Sequence, residues 1–377
     1  AHGSVHLGRG VPDVSDGLST PDVAEQSVLL RRDGRAAHVV LNRPRAINAL
    51  THEMVGIIHT ALTEWAEDDT VETVVLTGAG DRGLCAGGDI VAMWRDAKVG
   101  GIESAAFWAD EYRLNALIAE YPKPYVAVMD GIVLGGGIGL SAHAGQRIVT
   151  ERSSVGMPET GIGFLPDVGG TWLLSRAPGE TGTHLGLTAG SIGAGDAIAT
   201  GFADHYVRSA RIPALLEAMG ATDAAIAVAE ASEPAPASPL VQARAWLDAA
   251  YAGDDALTIV DRLRALGTDD ATRAADAVDE LVHQQQAQDR RKGLEKEASF
   301  YARQDERNAE LIADGRQDDV KFRSFTGRYG DASGTALRLW FTGQLLAMIL
   351  VGFISGLAYW WIGLPSPLAG AGWVLAL

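Results

Sequence analysis

Four short runs rich in β-branched residues punctuate the first half of the chain: AHVVLN (37–42), TVVLTG (73–78), PYVAVMDG (124–131) and QRIVTE (146–151). Between them lie helix-length segments, notably 51–68 and 103–120, with apolar residues at roughly helical spacing. Strands that alternate with helices need crossover connections, which predicts an α/β core. A further helix is expected to start within GGGIGLSAHA (135–144). From about residue 184 the pattern turns mostly helical. Alanine-rich stretches at 210–231 and 240–283 flank SEPAPASP (232–239), which reads as a loop.

The 377 residues, 47% hydrophobic, suffice for one large domain with extras or for two. A formal net charge of −17 argues against a general binder of nucleic acid or anionic membranes, because phosphates need Lys and Arg. A locally basic pocket for a small anion stays open. The single cysteine, Cys85, allows no intrachain disulfide and no thiolate zinc site, and fits a reducing, cytoplasmic setting. The nine histidines are scattered with no HxH or HExxH spacing, so no metal site is expected. Residues 1–26 lack the basic start and apolar run of a secretory signal, and the chain begins at Ala1 as a fragment or a processed product would.

The end of the chain differs in kind. Residues 289–328 are dense in charges of both signs, as in a solvated helix or linker, whereas 339–377 carry none. The stretch 339–363 is long enough to cross a bilayer, with Trp340, Tyr359, Trp360 and Trp361 near its ends and Arg338 beside it. A membrane segment is the favoured reading, ahead of a buried helical hairpin.

Two glycine-rich turns each follow an expected strand: GLCAGGDI (83–90) and GIVLGGGIGL (131–140). Glycine lets the backbone approach a ligand closely. One N–H group from each turn would make an oxyanion hole for a carbonyl becoming tetrahedral or enolate-like. GGGIG is not the dinucleotide GxGxxG in its usual place, and no Walker lysine appears, so purely structural turns remain an alternative. Beyond them, MPETGIGFLPDVGG (157–170) sets Glu159 and Asp167, each after a proline, in an otherwise apolar run. Asp167 read alone would cap a helix, but a carboxylate buried without a partner is costly, which favours a working role for Glu159.

Taken together, RGLCAGGDI, PKPYVAVMDGIVLGGGIGLSAH, RIVTERSSVGMPETGIGFLPDVGGTW and GFADHYV resemble the crotonase superfamily, and within it the 3-hydroxyisobutyryl-CoA hydrolases. The resemblance runs from about residue 27 to 210, with a weaker helical continuation to about 283. It implies a ββα spiral core at 27–210 that binds an acyl-CoA thioester, then a helical region at 211–285. A tail at 1–26, a charged helix or linker at 286–336 and an apolar membrane segment at 337–377 complete the expected organisation. The resemblance places the thioester oxygen between the N–H groups of Gly88 and Gly136, the adenine end of CoA near Ala86, and Glu111 of ADEYRLN against substrate. Glu159 becomes the reaction-side carboxylate, activating water or attacking directly to give an anhydride. Asp167 would orient the substrate hydroxyl or the water and push the titration of Glu159. Gly139 stands where hydratases carry the first of two glutamates. CoA belongs to the substrate, so no separate cofactor is implied, and a homo-oligomer is, as in other crotonases.

The expected function is hydrolysis of 3-hydroxyisobutyryl-CoA to 3-hydroxyisobutyrate and CoA, a step of valine catabolism. An enoyl-CoA hydratase or isomerase, and a non-catalytic CoA-binding module tethered to a membrane, are the alternatives. His143 reads as a hydrogen-bonded structural histidine and Cys85 as a packed thiol. Arg43 and Arg45, before INAL, read as contacts to CoA phosphates or as solvated charges. The terminal motifs that such hydrolases usually carry are missing, and the apolar end instead resembles small two-helix membrane domains.

Overall fold

The computed structural model describes residues 26–253 and 255–284. Nearly all of the N-terminal tail, the charged segment 286–336 and the apolar segment 337–377, including 339–363, lie outside the described residues.

β1 (Val28–Asp33) runs antiparallel to β2 (Ala36–Leu41). α1 (His52–Glu67), capped where the Thr51 hydroxyl accepts from Met54 N–H, carries the chain to β3 (Thr73–Gly78), parallel to β2. From there each long strand is followed by a short one that leaves for a second sheet. β3 gives way to β4 (Gly83–Cys85), β5 (Tyr125–Met129) to β6 (Ile132–Leu134), and β7 (Gln146–Val149) to β8 (Ser154–Gly156). α2 (Ile90–Lys98) and α3 (Glu103–Ala119) fill the first crossover and α4 (Gly136–Ser141) the second. The third passes through α5 (Gly170–Arg176), α6 (Thr181–Thr188), β9 (Ser191–Ile192) and α7 (Ala194–Ala199) to β10 (His205–Tyr206). The result is a six-stranded sheet ordered β1-β2-β3-β5-β7-β10 beside a four-stranded sheet ordered β4-β6-β8-β9. Pairings are parallel apart from β1 with β2 and β8 with β9.

This is the spiral ββα core the sequence led us to expect, and its strands and helices fall within a few residues of the expected bounds. β2, β3 and β5 are buried along most or all of their length, which is why they read as unbroken apolar runs. Val39, Leu41, Leu76 and Met129 point into the main core with α1 and α3. Val75, Val126 and Ile148 point the other way, under Leu215 and Met219 of α8 (Ile212–Ala221) and Val228 of α9 (Ala224–Ala231). The switch between sheets is tight: a Cβ on Gly83 would lie 2.2 Å from Ile132 N, so the strands meet only because residue 83 has none.

The later helices close onto this core. α10 (Pro239–Tyr251) docks through Asp196, whose Oδ1 accepts from Leu240 N–H at 2.9 Å. α11 (Ala256–Leu266) and a helix over 269–284 follow. Among the described residues no helix is long and apolar enough to cross a membrane.

His38 of β2 is 2% exposed, and neither ring nitrogen has a partner. Burial, with a smaller push from Arg31, lowers its pKa, so the fold holds it neutral. Its contribution is intact above the unfolded value of 6.5 and is lost as pH falls from there toward the lowered folded value. We expect urea unfolding to show stability falling between pH 7.5 and 5.5, and His38→Val to recover about 1 kcal/mol of that loss. An equal loss in both proteins would contradict this.

Candidate active site

The two glycine turns lie back to back. β4 runs into Ala86–Gly87–Gly88, pinned by Leu50 N–H to Gly87 O (2.8 Å), Ala86 N–H to Ile47 O (2.9 Å) and Asp89 N–H to Leu50 O (2.9 Å). β6 runs into Gly135 and the first residue of α4, Gly136, where backbone N–H groups have no acceptor within the helix. A Cβ on Gly136 would lie 3.4 Å from Gly88 N, and one on Gly87 would lie 3.7 Å from Gly136 N. The structure therefore brings the backbones of Gly88 and Gly136 side by side.

Three carboxyl groups close around these turns. Glu111, on the core side of α3 and 2% exposed, sets Oε1 2.5 Å from where a Gly136 Cβ would stand, and that oxygen has no hydrogen-bond partner. Glu159 opens a 3-10 turn, Glu159–Ile162, and is 8% exposed. Its Oε1 lies 2.8 Å from the Cβ position of Gly135, while Oε2 is buried without a partner. Asp167 is half-buried, and its Oδ2 accepts from the Tyr112 hydroxyl at 2.7 Å.

Burial dominates their titration. It raises Glu111 to about 8, helped by the charges of Asp167 and Glu159. It raises Glu159 to about 7 against an opposing backbone hydrogen bond, with Asp167 adding to the rise. It also raises Asp167, partly offset by the hydrogen bond from Tyr112. Close carboxyls of this kind share their protons, so near neutrality the cluster holds acid and base forms together.

The space over Gly139 is filled. A Cβ there would meet Asn115 Nδ2 at 2.8 Å, Asn115 Oδ1 at 3.0 Å and Val168 Cβ at 2.8 Å. Asn115 is 1% exposed with both amide atoms unpartnered. Val168 takes φ +47, a left-handed conformation that a β-branched residue adopts at a cost of roughly 1–3 kcal/mol.

The other residues singled out in the sequence fall as follows. The Cys85 thiol is buried and pushed up to about 12 by desolvation, which makes it a packed thiol and not a nucleophile. His143 Nε2 lies 2.7 Å from Val168 O, a hydrogen-bonded histidine as expected. Arg43 is tied to Asp89 Oδ2 (3.0 Å) and to Ala49 O (2.5 Å), so it braces the first glycine turn, while Arg45 is exposed. Among the described residues no group of His, Cys, Asp or Glu is arranged to hold a metal. Tyr112 and Asn115 were missed. Asn115 was findable, because Phe107, Glu111, Asn115 and Ile118 repeat on one face of α3 and put two polar residues on an apolar stripe. Tyr112 carries no such signal.

The spiral ββα core, with two glycine turns packed side by side near a cluster of carboxyl groups, defines an α/β protein of one recognisable kind. The sequence profile of enoyl-CoA hydratase/isomerase matches residues 36–288, and the chain belongs to this, the crotonase, family. A zebrafish (Danio rerio) protein named 3-hydroxyisobutyryl-CoA hydrolase, mitochondrial, is 44% identical over 192 residues, 51% of this chain and 50% of that protein. A Neurospora crassa protein named small ribosomal subunit protein mS47 is 45% identical over 180 residues, 47% of this chain and 35% of that one. The chain spans about half the length or less of these curated relatives. A crystal structure titled carnitinyl-CoA dehydratase, from Mycobacterium thermoresistibile, is 50% identical with a TM-score of 0.66, covering 67% of this chain and 74% of that one.

The packing over Gly139 gives a direct expectation. Gly139→Ala places a methyl group against Asn115 and Val168 inside the core, and its urea midpoint should fall by an amount equivalent to about 1–3 kcal/mol. An unchanged midpoint would show that the space is open.

Proposed function

We propose that this chain hydrolyses a small 3-hydroxyacyl-CoA thioester, 3-hydroxyisobutyryl-CoA foremost. The observation that carries the reading is a disposition of carboxyls. Glu159, Asp167 and Glu111 gather at the glycine turns, while position 139 has neither a carboxylate nor room for one. The hydratases that this chain resembles add water with two glutamates, one of them at that position. The name of the zebrafish relative points the same way.

In this reading the thioester oxygen sits between the N–H groups of Gly88 and Gly136. Ionised Glu159 takes a proton from water as it attacks the carbonyl carbon, or attacks that carbon itself to give an anhydride that water then opens. The C–S bond breaks and CoA leaves as thiolate, needing little acid assistance. Asp167, held by Tyr112, orients the substrate hydroxyl or the water. Glu111, beside the oxyanion position, works best protonated, because an ionised carboxylate there would repel the developing oxyanion. CoA enters as part of the substrate and no further cofactor is invoked.

Thiol release from 3-hydroxyisobutyryl-CoA tests this. Glu159→Gln should lower kcat by about 100-fold or more. The rate should rise with pH through about 7 as Glu159 ionises and fall above about 8 as Glu111 ionises. Glu111→Gln should abolish the alkaline fall. Equal activity of wild type and Glu159→Gln would remove Glu159 from the reaction. With an enoyl-CoA offered instead, loss of enoyl absorbance without CoA release would favour the hydratase reading that the dehydratase neighbour suggests.

A further inference from the structure

We propose that His143 is a positioning residue for Asp167: its imidazole N–H grips the Val168 carbonyl and holds the left-handed turn that delivers the Asp167 carboxylate to the site. The inference rests on the reading of Asp167 as a working carboxylate.

Asp167 is followed by two consecutive left-handed residues, Val168 at φ +47 and Gly169 at φ +78. Glycine adopts this conformation freely, whereas valine does so only where its surroundings leave no alternative. Three contacts supply that constraint. His143 Nε2 lies 2.7 Å from Val168 O, and since a carbonyl only accepts, Nε2 carries the hydrogen. The His143 ring also occupies the space beside Gly169, where a Cβ would come within 2.5 Å of the imidazole Cε1 and Nε2. Gly139, lacking a side chain, admits Val168 Cβ to 2.8 Å from the position a Cβ of its own would take.

The turn then closes on itself, with Gly170 N–H donating to Asp167 O at 2.6 Å. On the other side of Asp167 its carboxylate meets the Tyr112 hydroxyl at 2.7 Å. His143 is itself fixed, edge-on to the Trp172 ring with centroids 6.5 Å apart. Remove the N–H and the Val168 peptide is free to rotate out of the left-handed region. Asp167 immediately precedes Val168 in the turn, so a change of the Val168 dihedrals carries the carboxylate away from Tyr112. His143 therefore touches no reacting atom and acts through Asp167 alone.

The test is a double-mutant cycle on CoA release with His143→Leu, His143→Gln, Asp167→Asn and His143→Leu combined with Asp167→Asn. His143→Leu should lower kcat about tenfold with KM nearly unchanged. His143→Gln, which keeps an N–H donor, should restore most of the rate. In the Asp167→Asn background His143→Leu should cost less than about twofold, because the group it positions is already lost. The same factor in both backgrounds, or an unchanged kcat, would overturn the proposal. Val168→Gly provides a second route should His143→Leu fold poorly. Glycine takes this turn unaided, so loss of His143 there should cost under about threefold, and a tenfold loss would contradict the account. The ¹³C shift of the Asp167 carboxyl carbon reads the same arrangement without turnover. It should move in His143→Leu and not in His143→Gln, so an absence of hydrolysis in the wild type would count against the proposed reaction and leave the positioning decided.

Discussion

Everything at the site depends on taking three carboxyl groups out of water beside two backbone N–H turns. Isolated ionised carboxylates buried together would be prohibitively costly, and the protein meets that cost by letting the group share protons. Glu111 and Glu159 each leave one carboxyl oxygen buried without a partner, so burial outweighs what holds them as anions. Only Asp167 receives a strong donor, the Tyr112 hydroxyl. The outcome is a graded set in which one acid is held ionised more readily than its neighbours. Such a set allows base chemistry near neutrality.

The fold produces this set by geometry of the simplest kind. Each ββα unit sends its second, short strand into the smaller sheet, and the turn at the end of that strand faces the next unit's turn. Because residues 87, 88, 135 and 136 are all glycine, the turns approach until only side chains from elsewhere can occupy the gap. α3 supplies Glu111 from one side, and the 157–170 segment supplies Glu159 and Asp167 from the other. Between these carboxylates the chain exposes Ile162 and Phe164, with the Phe164 ring edge-on to Trp108 of α3 at 5.9 Å.

Much of this was legible in the sequence. β2, β3 and β5 declared themselves because they are buried along most or all of their length, and α1 and α3 through their apolar spacing. Glu159 and Asp167 stood out as charges in an apolar run. The second sheet did not, since strands of two or three residues such as β4, β6 and β9 are too short for any periodicity to register. Glu111 read alone is a helix-surface charge, and the family resemblance marked it, although with Asn115 it falls on the apolar stripe of α3. Arg43, adjacent to the glycine turn in space, was open to a phosphate-binding reading that its tie to Asp89 does not support. Partners such as Tyr112 with Asp167, or His143 with Val168, are separated by 55 and 25 residues, and no local signal joins them.

The central claim is that burial keeps Glu111 and Glu159 partly protonated near neutral pH. Following the ¹³C resonances of the Glu and Asp carboxyl carbons through a pH titration tests it most directly, with Glu111→Gln and Glu159→Gln providing the assignments. These two groups should titrate near 8 and 7, well above the exposed carboxyls. Titration of both below about pH 5, with the ordinary glutamates, would contradict it.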